Sequence, residues 1–422
     1  MNTIRSPKYK PKLSDVEHAR SLVKKIALHT PLSYPKGMAE KYGAKIGLKR
    51  EDLQVVRSYK LRGAYYKIAT LTKQDLTKGV VCASAGNHAQ GVAYACQQLK
   101  INGHIFMPLT TPQQKVNQVR MFGGKFVEIQ LVGDTFDDSL AMARAHCKVA
   151  NASFIHPFDD PKIIEGQGTV ALEILEDSSE HIDYLILPVG GGGLAAGVSS
   201  VFRMLSPTTK IIGVEPAGAA SMSWALQKKE VRSLQQIDKF VDGAAVKQVG
   251  KYTFDICQTS LDRILTIPEG LICKTMLQLY NEEAMVVEPA GALSISALQL
   301  LQDEIKNKIV VCVVSGGNND IARMEEIQER ALLYEELKHY FIVNFPQREG
   351  ALREFLIQVL GPQDDIVYFQ YMKKNNRIKG PAMVGIELKN KIDLAPLVER
   401  MKTKKFFGQY LNHHPDLFHF LV

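Results

Sequence analysis

Short apolar runs alternate with helical segments along most of the chain, and this alternation restricts the folds open to it. Residues 309–314 (IVVCVV) are apolar throughout, as is typical of a strand in a parallel sheet that is covered on both faces. Strands separated by helices indicate βαβ units and an α/β fold with mostly parallel sheets. The predicted strands are 44–48, 80–83, 104–107, 125–132, 184–189, 210–215, 263–267 and 308–314. The predicted helices are 16–29, 61–71, 89–99, 113–122, 136–149, 165–175, 194–205 and 291–301.

A different order of elements begins after a Glu- and Arg-rich helix predicted over 320–337. The segments that follow alternate as βαββαβ, which is the order of a small α+β domain. They are strands 339–345, 366–372, 383–388 and 406–411, with helices 351–360 and 394–401. We expect the boundary near 331–340, and hence two domains, 1–330 and 331–422.

Composition excludes several classes of protein. The chain has 422 residues, of which 45% are hydrophobic and 23% charged, as is ordinary for a soluble globular protein. No apolar run is long enough to span a bilayer, and the basic start lacks the apolar core of a secretory signal. The net charge of +8 is spread over short patches, so we expect neither a membrane nor a nucleic-acid partner. The six scattered cysteines indicate reduced thiols in a cytoplasmic protein, with no zinc site.

Lys60 is the candidate reactive residue. It lies near the first turn of the predicted helix 61–71. Unpaired N–H groups and the macrodipole give a helix start a positive field, which, together with any burial, favours a neutral amine over an ammonium. A neutral amine is nucleophilic and forms a Schiff base with an aldehyde such as pyridoxal phosphate. The alternative is a solvated lysine at an ordinary helix start.

Residues 84–91 (SAGNHAQG) join the strand 80–83 to the helix that follows it. A loop of small residues at a helix start presents backbone N–H groups to an anion, here a substrate carboxylate. Ser84 and Asn87 add side-chain hydrogen-bonding groups, although both residue types also favour helix caps. His88 is a candidate general base, but a single loop histidine is more often structural.

Residues 188–197 (PVGGGGLAAG) repeat the order of strand, glycine loop and helix. Four consecutive glycines let the backbone curl around a phosphate, whose charge the helix dipole supports. The pattern does not identify the phosphate. Gly191, Gly193 and Ala196 also fit a relaxed dinucleotide fingerprint, and Glu215 ends the next strand at nearly the expected distance. An enzyme that uses NAD is therefore a competing interpretation.

Ser315 follows the strand 308–314, and ligand sites in open α/β sheets lie at such carboxyl ends. Its hydroxyl can exchange a hydrogen bond with a ring nitrogen. A neutral partner does not enforce a protonated pyridine, which favours β-elimination over transamination. The alternative is a plain turn between a strand and a helix.

Taken together, these stretches closely resemble the biosynthetic threonine dehydratases, which are pyridoxal-phosphate enzymes of the tryptophan-synthase-β type, fold type II. The resemblance implies a catalytic part to about residue 330, with two open sheets and a smaller subdomain of roughly residues 55–160 inserted in the larger one. It implies an ACT-like regulatory part after that. The most specific matches are residues 58–64 (SYKLRGA), 84–91, 190–193, 287–292 (VEPAGA) and 315–318 (SGGN).

The resemblance also implies roles for individual residues. Lys60 holds pyridoxal 5'-phosphate and acts as the base at the substrate Cα, with Ser84 as a second catalytic residue. Asn87 meets the ring hydroxyl and Ser315 the ring nitrogen. The phosphate is bound by Gly190, Gly191, Gly192, Gly193 and Leu194. The substrate carboxylate meets the backbone of Ser84, Ala85, Gly86, Asn87 and His88. The products from L-threonine are 2-oxobutanoate and ammonia, the first step of isoleucine biosynthesis.

Some related racemases bind a divalent metal through a Glu and an Asp six residues on. Here Glu215 matches, but Ser221 occupies the second position, so no metal is expected. The family usually forms homo-oligomers, here a homotetramer or homodimer. Longer members carry two ACT-like modules, whereas this chain has room for one, so an effector site is expected at a subunit interface. The resemblance implies inhibition by isoleucine.

Three alternatives stay open at this point. One is an L-serine dehydratase or racemase of the same fold, because a single methyl group is worth only about 1–3 kcal/mol of discrimination. A second is the NAD-dependent oxidoreductase that uses the glycine loop. The third is an amino-acid sensor without enzymatic activity, in which only the ACT-like part binds a ligand.

Overall fold

The computed structural model describes residues 9–371 and 379–414. The chain divides between Asp320 and Ile321 into two compact units, which are described separately. The division falls earlier than the expected boundary after residue 330, so the charged helix predicted over 320–337 belongs to the second unit.

The described part of the first unit contains two separate, mostly parallel sheets. Its strands are β1 (Leu32–Ser33), β2 (Lys45–Arg50), β3 (Val80–Ala83), β4 (Gly103–Met107), β5 (Val127–Leu131), β6 (Ser153–Phe154), β7 (Tyr184–Pro188), β8 (Lys210–Pro216), β9 (Arg263–Ile267) and β10 (Ile309–Val314). The larger sheet has the order β1-β2-β10-β7-β8-β9, in which only β1 is antiparallel. The smaller sheet has the parallel order β5-β4-β3-β6.

Helices cover these sheets. They are α1 (Leu13–Val23), α2 (Lys36–Tyr42), α3 (Lys60–Ala69), α4 (Lys73–Lys78), α5 (Asn87–Leu99), α6 (Gln113–Gly123), α7 (Phe136–Ala150), α8 (Pro161–Asp177), α9 (Gly193–Leu205), α10 (Ser221–Lys228), α11 (Lys251–Ser260), α12 (Glu269–Glu283) and α13 (Pro289–Leu301). Each sheet contributes to its own apolar core. Within the described ranges, no helix combines the length and the apolar character that crossing a membrane requires.

The α/β class predicted from the alternation is confirmed, but several helices were missed. No element was predicted over 36–42 or 269–283, whereas α2 and α12 occupy these regions. Both helices start directly after a proline, at Pro35 and Pro268, which fits the fixed φ of that residue at a helix entrance. Helix α8 also starts earlier than predicted, because the Asp160 side chain caps it and Pro161 occupies its first position.

Helix α8 lies between α3 and α9, and glycines let the three backbones approach closely. A Cβ on Gly63 of α3 would lie 2.4 Å from Nε2 of Gln167, and one on Gly166 of α8 would lie 2.7 Å from the Gly63 Cα. On the other side of α8, a Cβ on Gly197 of α9 would lie 2.3 Å from the Ile164 carbonyl oxygen. These contacts fix α3 and α9 relative to each other through α8.

The second unit has the predicted βαββαβ order after one preceding helix. Its described elements are α14 (Met324–Tyr334), β11 (Lys338–Pro346), α15 (Ala351–Gln358), β12 (Asp365–Tyr371), β13 (Lys379–Glu387), α16 (Leu394–Thr403) and β14 (Phe407–Tyr410). The strands form an antiparallel sheet in the order β12-β13-β11-β14. Phe341, Phe345, Phe355 and Phe406 are among the buried side chains of its separate core.

We expect Gly197→Ala to lower the free energy of unfolding by about 1–3 kcal/mol, because the new methyl group overlaps the α8 backbone. Gly37→Ala is the matched control: it also lies in a helix, but the nearest atom to its Cβ is a flexible Glu283 oxygen at 3.5 Å. That change should stabilise the protein by about 0.5–1 kcal/mol. Urea denaturation measures both, and equal effects would contradict the close packing of α8 and α9.

Candidate active site

The segments that follow β3 and β10 meet the first turn of α3. Backbone hydrogen bonds join the Tyr59 N–H to the Ser315 carbonyl at 3.2 Å and the Gly317 N–H to the Arg57 carbonyl at 2.9 Å. A Cβ on Gly91 of α5 would lie 3.1 Å from the Lys60 carbonyl carbon, so the starts of α3 and α5 are in close contact. The structure therefore brings Lys60, the 84–91 loop and the end of β10 together.

Lys60 is the first residue of α3 and is partly buried. Its Nζ donates a hydrogen bond to the Pro157 carbonyl at 3.4 Å and lies 5.3 Å from the centre of the Tyr59 ring. The helix start predicted at residue 61 is thus one residue earlier and includes the lysine itself. The amine points to the segment 155–160, which links it to the glycine loop.

The tetraglycine loop is closed in by its neighbours. A Cβ on Gly190 would lie 2.8 Å from the Ala244 carbonyl oxygen, and one on Gly191 would overlap the Phe158 ring at 2.2 Å. Gly192 has a φ of 92°, a conformation that favours glycine. Helix α9 starts at Gly193, so its first N–H groups have no partner within the helix and face the loop. This geometry suits a bound anion.

The segment 155–160, which was not singled out from the sequence, supports this loop. The His156 Nδ1 accepts hydrogen bonds from the Phe158 N–H at 3.2 Å and the Asp159 N–H at 2.8 Å. Burial lowers the pKa of His156 to about 4, although Asp159 and Asp160 raise it, so the ring stays neutral and can accept these bonds. The signal available was the cluster HPFDD directly after an apolar run.

Helix α11 completes the support of the glycine loop. The Asp159 carboxylate accepts hydrogen bonds from backbone N–H groups at the start of α11, including Tyr252 at 2.9 Å. The Thr253 hydroxyl donates to the Gly191 carbonyl at 2.7 Å. The glycine loop is therefore held between the segment 155–160 and α11.

The loop after β3 enters α5 at Asn87. The Gly86 N–H donates to the Ser84 Oγ at 3.3 Å, and the backbone of residues 84–88 lies at the start of that helix. His88 is buried, and its Nε2 donates to the Ile155 carbonyl at 2.9 Å. Burial, followed by the positive charge of Lys60, lowers the pKa of His88 to about 3. The His88 side chain is therefore a neutral structural group and is not placed as a general base.

Ser315 directly follows β10 and is buried, with its hydroxyl donating to the Ala290 carbonyl at 3.1 Å. Glu288, a residue to which the sequence analysis gave no role, accepts a hydrogen bond from the Asn87 Nδ2 at 2.6 Å. Burial and the charge of Asp242 raise the pKa of Glu288 to about 7, against opposing effects of Asn87, Lys115 and Lys60. A buried carboxyl thus stands beside the asparagine expected at the cofactor ring.

Comparisons with known proteins agree with this geometry. Residues 23–316 match the family model described as "Pyridoxal-phosphate dependent enzyme", and residues 329–421 match "C-terminal regulatory domain of Threonine dehydratase". The "L-threonine dehydratase biosynthetic IlvA" of Bacillus subtilis strain 168 is 57% identical over 413 residues, covering 97% of this chain and 98% of the relative. The chain belongs to the biosynthetic threonine dehydratases.

Solved structures support the same family. The processed form of threonine deaminase isoform 2 from Solanum lycopersicum is 38% identical, with a TM-score of 0.72 over 78% of this chain and 96% of that one. A serine racemase from Dictyostelium discoideum is 30% identical, with a TM-score of 0.68 over 74% of this chain and 99% of that one. The fold is therefore shared by dehydratases and a racemase.

The dinucleotide interpretation is wrong, and the place of Glu215 gives the physical reason. Its carboxylate is buried, and its two oxygens accept hydrogen bonds from the Met222 and Ser223 N–H groups at 2.7 Å each. Burial raises the pKa of Glu215 more than these two hydrogen bonds lower it, so that the net pKa is about 8. A carboxyl used in this way caps the start of α10 and is not presented to a ribose. Across residues 9–371 and 379–414, no cluster of three His, Cys, Asp or Glu side chains is placed to hold a metal ion.

Two residues after Lys60, at Arg62, a buried ion network anchors α3. The Arg62 guanidinium donates two hydrogen bonds to Glu51, both at 2.8 Å, and two to Glu173, at 2.6 and 2.8 Å. Lys49 is also buried and lies 2.9 Å from a Glu173 oxygen. Burial alone would lower the pKa of Arg62, but the two carboxylates raise it overall. Burial likewise opposes ionisation of Glu173, but Arg62 and Lys49 hold its pKa below the usual value.

We expect Arg62→Met to lower the free energy of unfolding by about 3–5 kcal/mol, because it leaves buried carboxylates without their main partner. The matched control is Arg263→Met, which removes an exposed pair with Glu304 worth about 0–1 kcal/mol. Because the pKa of Glu173 is depressed, its stabilisation is complete above the unfolded-state pKa and is lost as the pH falls through the folded-state pKa. Urea denaturation at neutral and acidic pH measures both effects. Equal losses in the two variants would contradict the anchoring role.

Proposed function

We propose that the chain converts L-threonine to 2-oxobutanoate and ammonia with pyridoxal 5'-phosphate, as the first step of isoleucine biosynthesis. The observation that carries this proposal is the position of Lys60, whose amine contacts the segment 155–160 that packs against the tetraglycine loop. A full-length relative at 57% identity is named a biosynthetic threonine dehydratase, which supports the same substrate.

The residues present fit this cofactor. The glycine loop forms a cradle that a Cβ at any of Gly190, Gly191 or Gly192 would crowd, and it opens onto the start of α9. Its N–H groups, with that of Leu194, would hold a phosphate through hydrogen bonds and the helix dipole. Lys60 would hold the aldehyde end, Asn87 the ring oxygen and Ser315 the ring nitrogen. When bound, the cofactor supplies an electron sink for charge that develops at the substrate Cα.

The side chains then divide the proton transfers among them. Lys60 would remove the proton from the substrate Cα, because its amine becomes free to act as a base once the substrate replaces it. The backbone N–H groups of residues 84–88 would hold the substrate carboxylate, and Ser84 would lie on the other side of the Cα. In the overall balance the proton from the Cα and the β-hydroxyl leave together as one water molecule, and a second water molecule then releases ammonia and the keto acid.

Ser315 supports elimination over transamination. Its hydroxyl is neutral and buried, and its hydrogen can rotate between the Ala290 carbonyl and another partner. A carboxylate at the ring nitrogen would keep that nitrogen protonated, whereas a neutral hydroxyl does not. The charge at the Cα is then released by expulsion of the β-hydroxyl.

The second candidate is dehydration or racemisation of L-serine by the same site. The structural similarity to a serine racemase supports it, as does the presence of both Lys60 and Ser84 at the loops expected to flank the Cα. The two substrates differ by one methyl group, so L-serine is expected as a poorer substrate by about 10- to 200-fold.

We also propose that the second unit binds isoleucine as an inhibitor, in a cavity of the unit itself and not at the subunit interface expected from the sequence, and that the chain forms a homotetramer or homodimer. The unit contains a cavity of about 180 Å³ at the start of α15. Phe345, Phe369 and Tyr371 supply apolar walls, and Arg348, whose guanidinium is paired with Glu354, supplies a positive charge that would have to exchange this partner for a ligand carboxylate. The match of residues 329–421 to a regulatory domain supports this role. The free thiols of all six cysteines support the expected cytoplasmic location.

We expect Lys60→Ala to lose the visible absorbance of the bound cofactor and to lower keto-acid release from L-threonine by at least about 10²- to 10⁴-fold, because it removes both the attachment point and the base. The control is Lys73→Ala, an exposed lysine at the start of α4. Absorbance spectra and an assay with L-threonine and L-serine measure the effects. Full activity in Lys60→Ala would refute the lyase, and turnover of neither substrate by the wild type would favour the sensor alternative.

We expect Arg348→Ala to weaken inhibition by isoleucine by about 10- to 100-fold, the equivalent of a charge-assisted hydrogen bond. Lys391→Ala is the control, because Lys391 is an exposed lysine of the same unit and does not line the cavity. Keto-acid release over a range of isoleucine concentrations measures the change. Unaltered inhibition in Arg348→Ala would place the effector elsewhere.

A further inference from the structure

The carboxamide of Asn87 is contacted from two sides by residues of different elements. Its Nδ2 donates to the Glu288 Oε1 at 2.6 Å, and its Oδ1 accepts from the Asn318 Nδ2 at 2.7 Å. Glu288 lies directly before α13, whereas Asn318 follows β10. Asn318 is itself held, since its Nδ2 also lies 2.9 Å from the Val56 carbonyl oxygen.

These two contacts determine which end of the carboxamide faces which neighbour. The opposite orientation would place the Asn87 oxygen against the Glu288 carboxyl and the Asn87 nitrogen against the Asn318 nitrogen. Both contacts would then pair two acceptors or two donors. Glu288 and Asn318 therefore select one orientation of the amide.

Glycines make room for the Glu288 carboxyl beside this amide. A Cβ on Gly316 would lie 2.4 Å from the Glu288 Oε1 and 3.2 Å from the Asn87 Nδ2. A Cβ on Gly243 would lie 3.1 Å from the same Glu288 oxygen. Any larger residue at 316 would displace the carboxyl, so the sequence SGGN at 315–318 and Glu288 depend on each other.

We infer that Glu288 is a positioning residue that holds the Asn87 carboxamide with its nitrogen toward the ring oxygen of the cofactor. The inference rests on the proposed function. The Asn87 nitrogen carries two hydrogens: Glu288 accepts one, and the other has no acceptor among the described residues. That second hydrogen is the donor for the ring oxygen. Glu288 thus acts on the cofactor only through Asn87.

A hydrogen-bond donor at the ring oxygen of the cofactor stabilises the ionised form of that oxygen. The ionised form is the one that gives the bound cofactor its visible band. An amide turned the other way would offer an oxygen to an oxygen and disfavour that form. The position of Glu288 is therefore readable in the spectrum of the loaded enzyme without substrate.

The test compares the pH dependence of the visible band in Glu288→Leu with that of the wild type. Leu cannot accept a hydrogen bond from Asn87. We therefore expect the midpoint, meaning the pH at which half of the change in visible absorbance has occurred, to rise by about one to two pH units, which corresponds to one lost hydrogen bond to a charged group. Glu288→Gln should restore the wild-type midpoint, because its amide oxygen can accept the same bond. An unshifted midpoint in Glu288→Leu would overturn the inference.

A matched control separates this effect from the loss of a buried carboxyl. Glu165 is buried in α8 and bonded to Tyr9 and Lys162, with no contact to Asn87. Glu165→Leu should therefore leave the midpoint unchanged even where it lowers the thermal stability. A shift of the same size in Glu165→Leu would show that the band reports only general damage, and would overturn the inference.

A double-mutant cycle with Asn87→Ala completes the test. We expect Asn87→Ala alone to shift the midpoint as much as Glu288→Leu does, and the double variant to shift it no further. Additive shifts would mean that Glu288 acts independently of Asn87 and would overturn the inference. If Asn87→Ala leaves the midpoint unchanged, the assignment of Asn87 to the ring oxygen in the proposed function fails. A shift in Asn87→Ala without one in Glu288→Leu overturns the positioning role alone.

Discussion

The guanidinium of Arg62 lies between the carboxylates of Glu51 and Glu173 in the interior, two residues along α3 from Lys60. A buried ion pair stabilises a fold little compared with well-packed apolar side chains, but breaking one is costly because a charge is left without a partner. The network therefore allows α3 few alternative positions. Because Lys60 starts the same helix, buried ions anchor the element that carries its amine.

The second condition for the site is the spacing between the lysine and the tetraglycine loop. They lie at the starts of α3 and α9, and both helices pack on α8 through glycines that exclude any side chain. Helices define the positions of reactive groups more accurately than loops do. The segment 155–160 adds a direct link, because its Pro157 carbonyl contacts the lysine and its Phe158 ring covers the glycine loop.

The residues that chemistry singles out could be predicted from the sequence, whereas their supports could not. Lys60 and the tetraglycine loop stand beside strand and helix signals that are local in the chain, and in the structure each lies at the start of a helix. His156 and Glu288 stand in recognisable local stretches, HPFDD and VEPAGA, but their roles depend on partners far away in sequence, so the local pattern does not show what they support. The helices after Pro35 and Pro268 were not predicted, although a proline suits a helix start.

The second unit builds its sheet from its own strands, in the order β12-β13-β11-β14, around a core of its own aromatic side chains. Its described strands pair only with one another, so copying or deleting the segment leaves the hydrogen-bond ladders of the first unit intact. Evolution can therefore vary the number of such modules at the end of the chain while selection on the catalytic loops proceeds separately. The modular arrangement lets regulation be retuned, doubled or discarded without rebuilding the lyase.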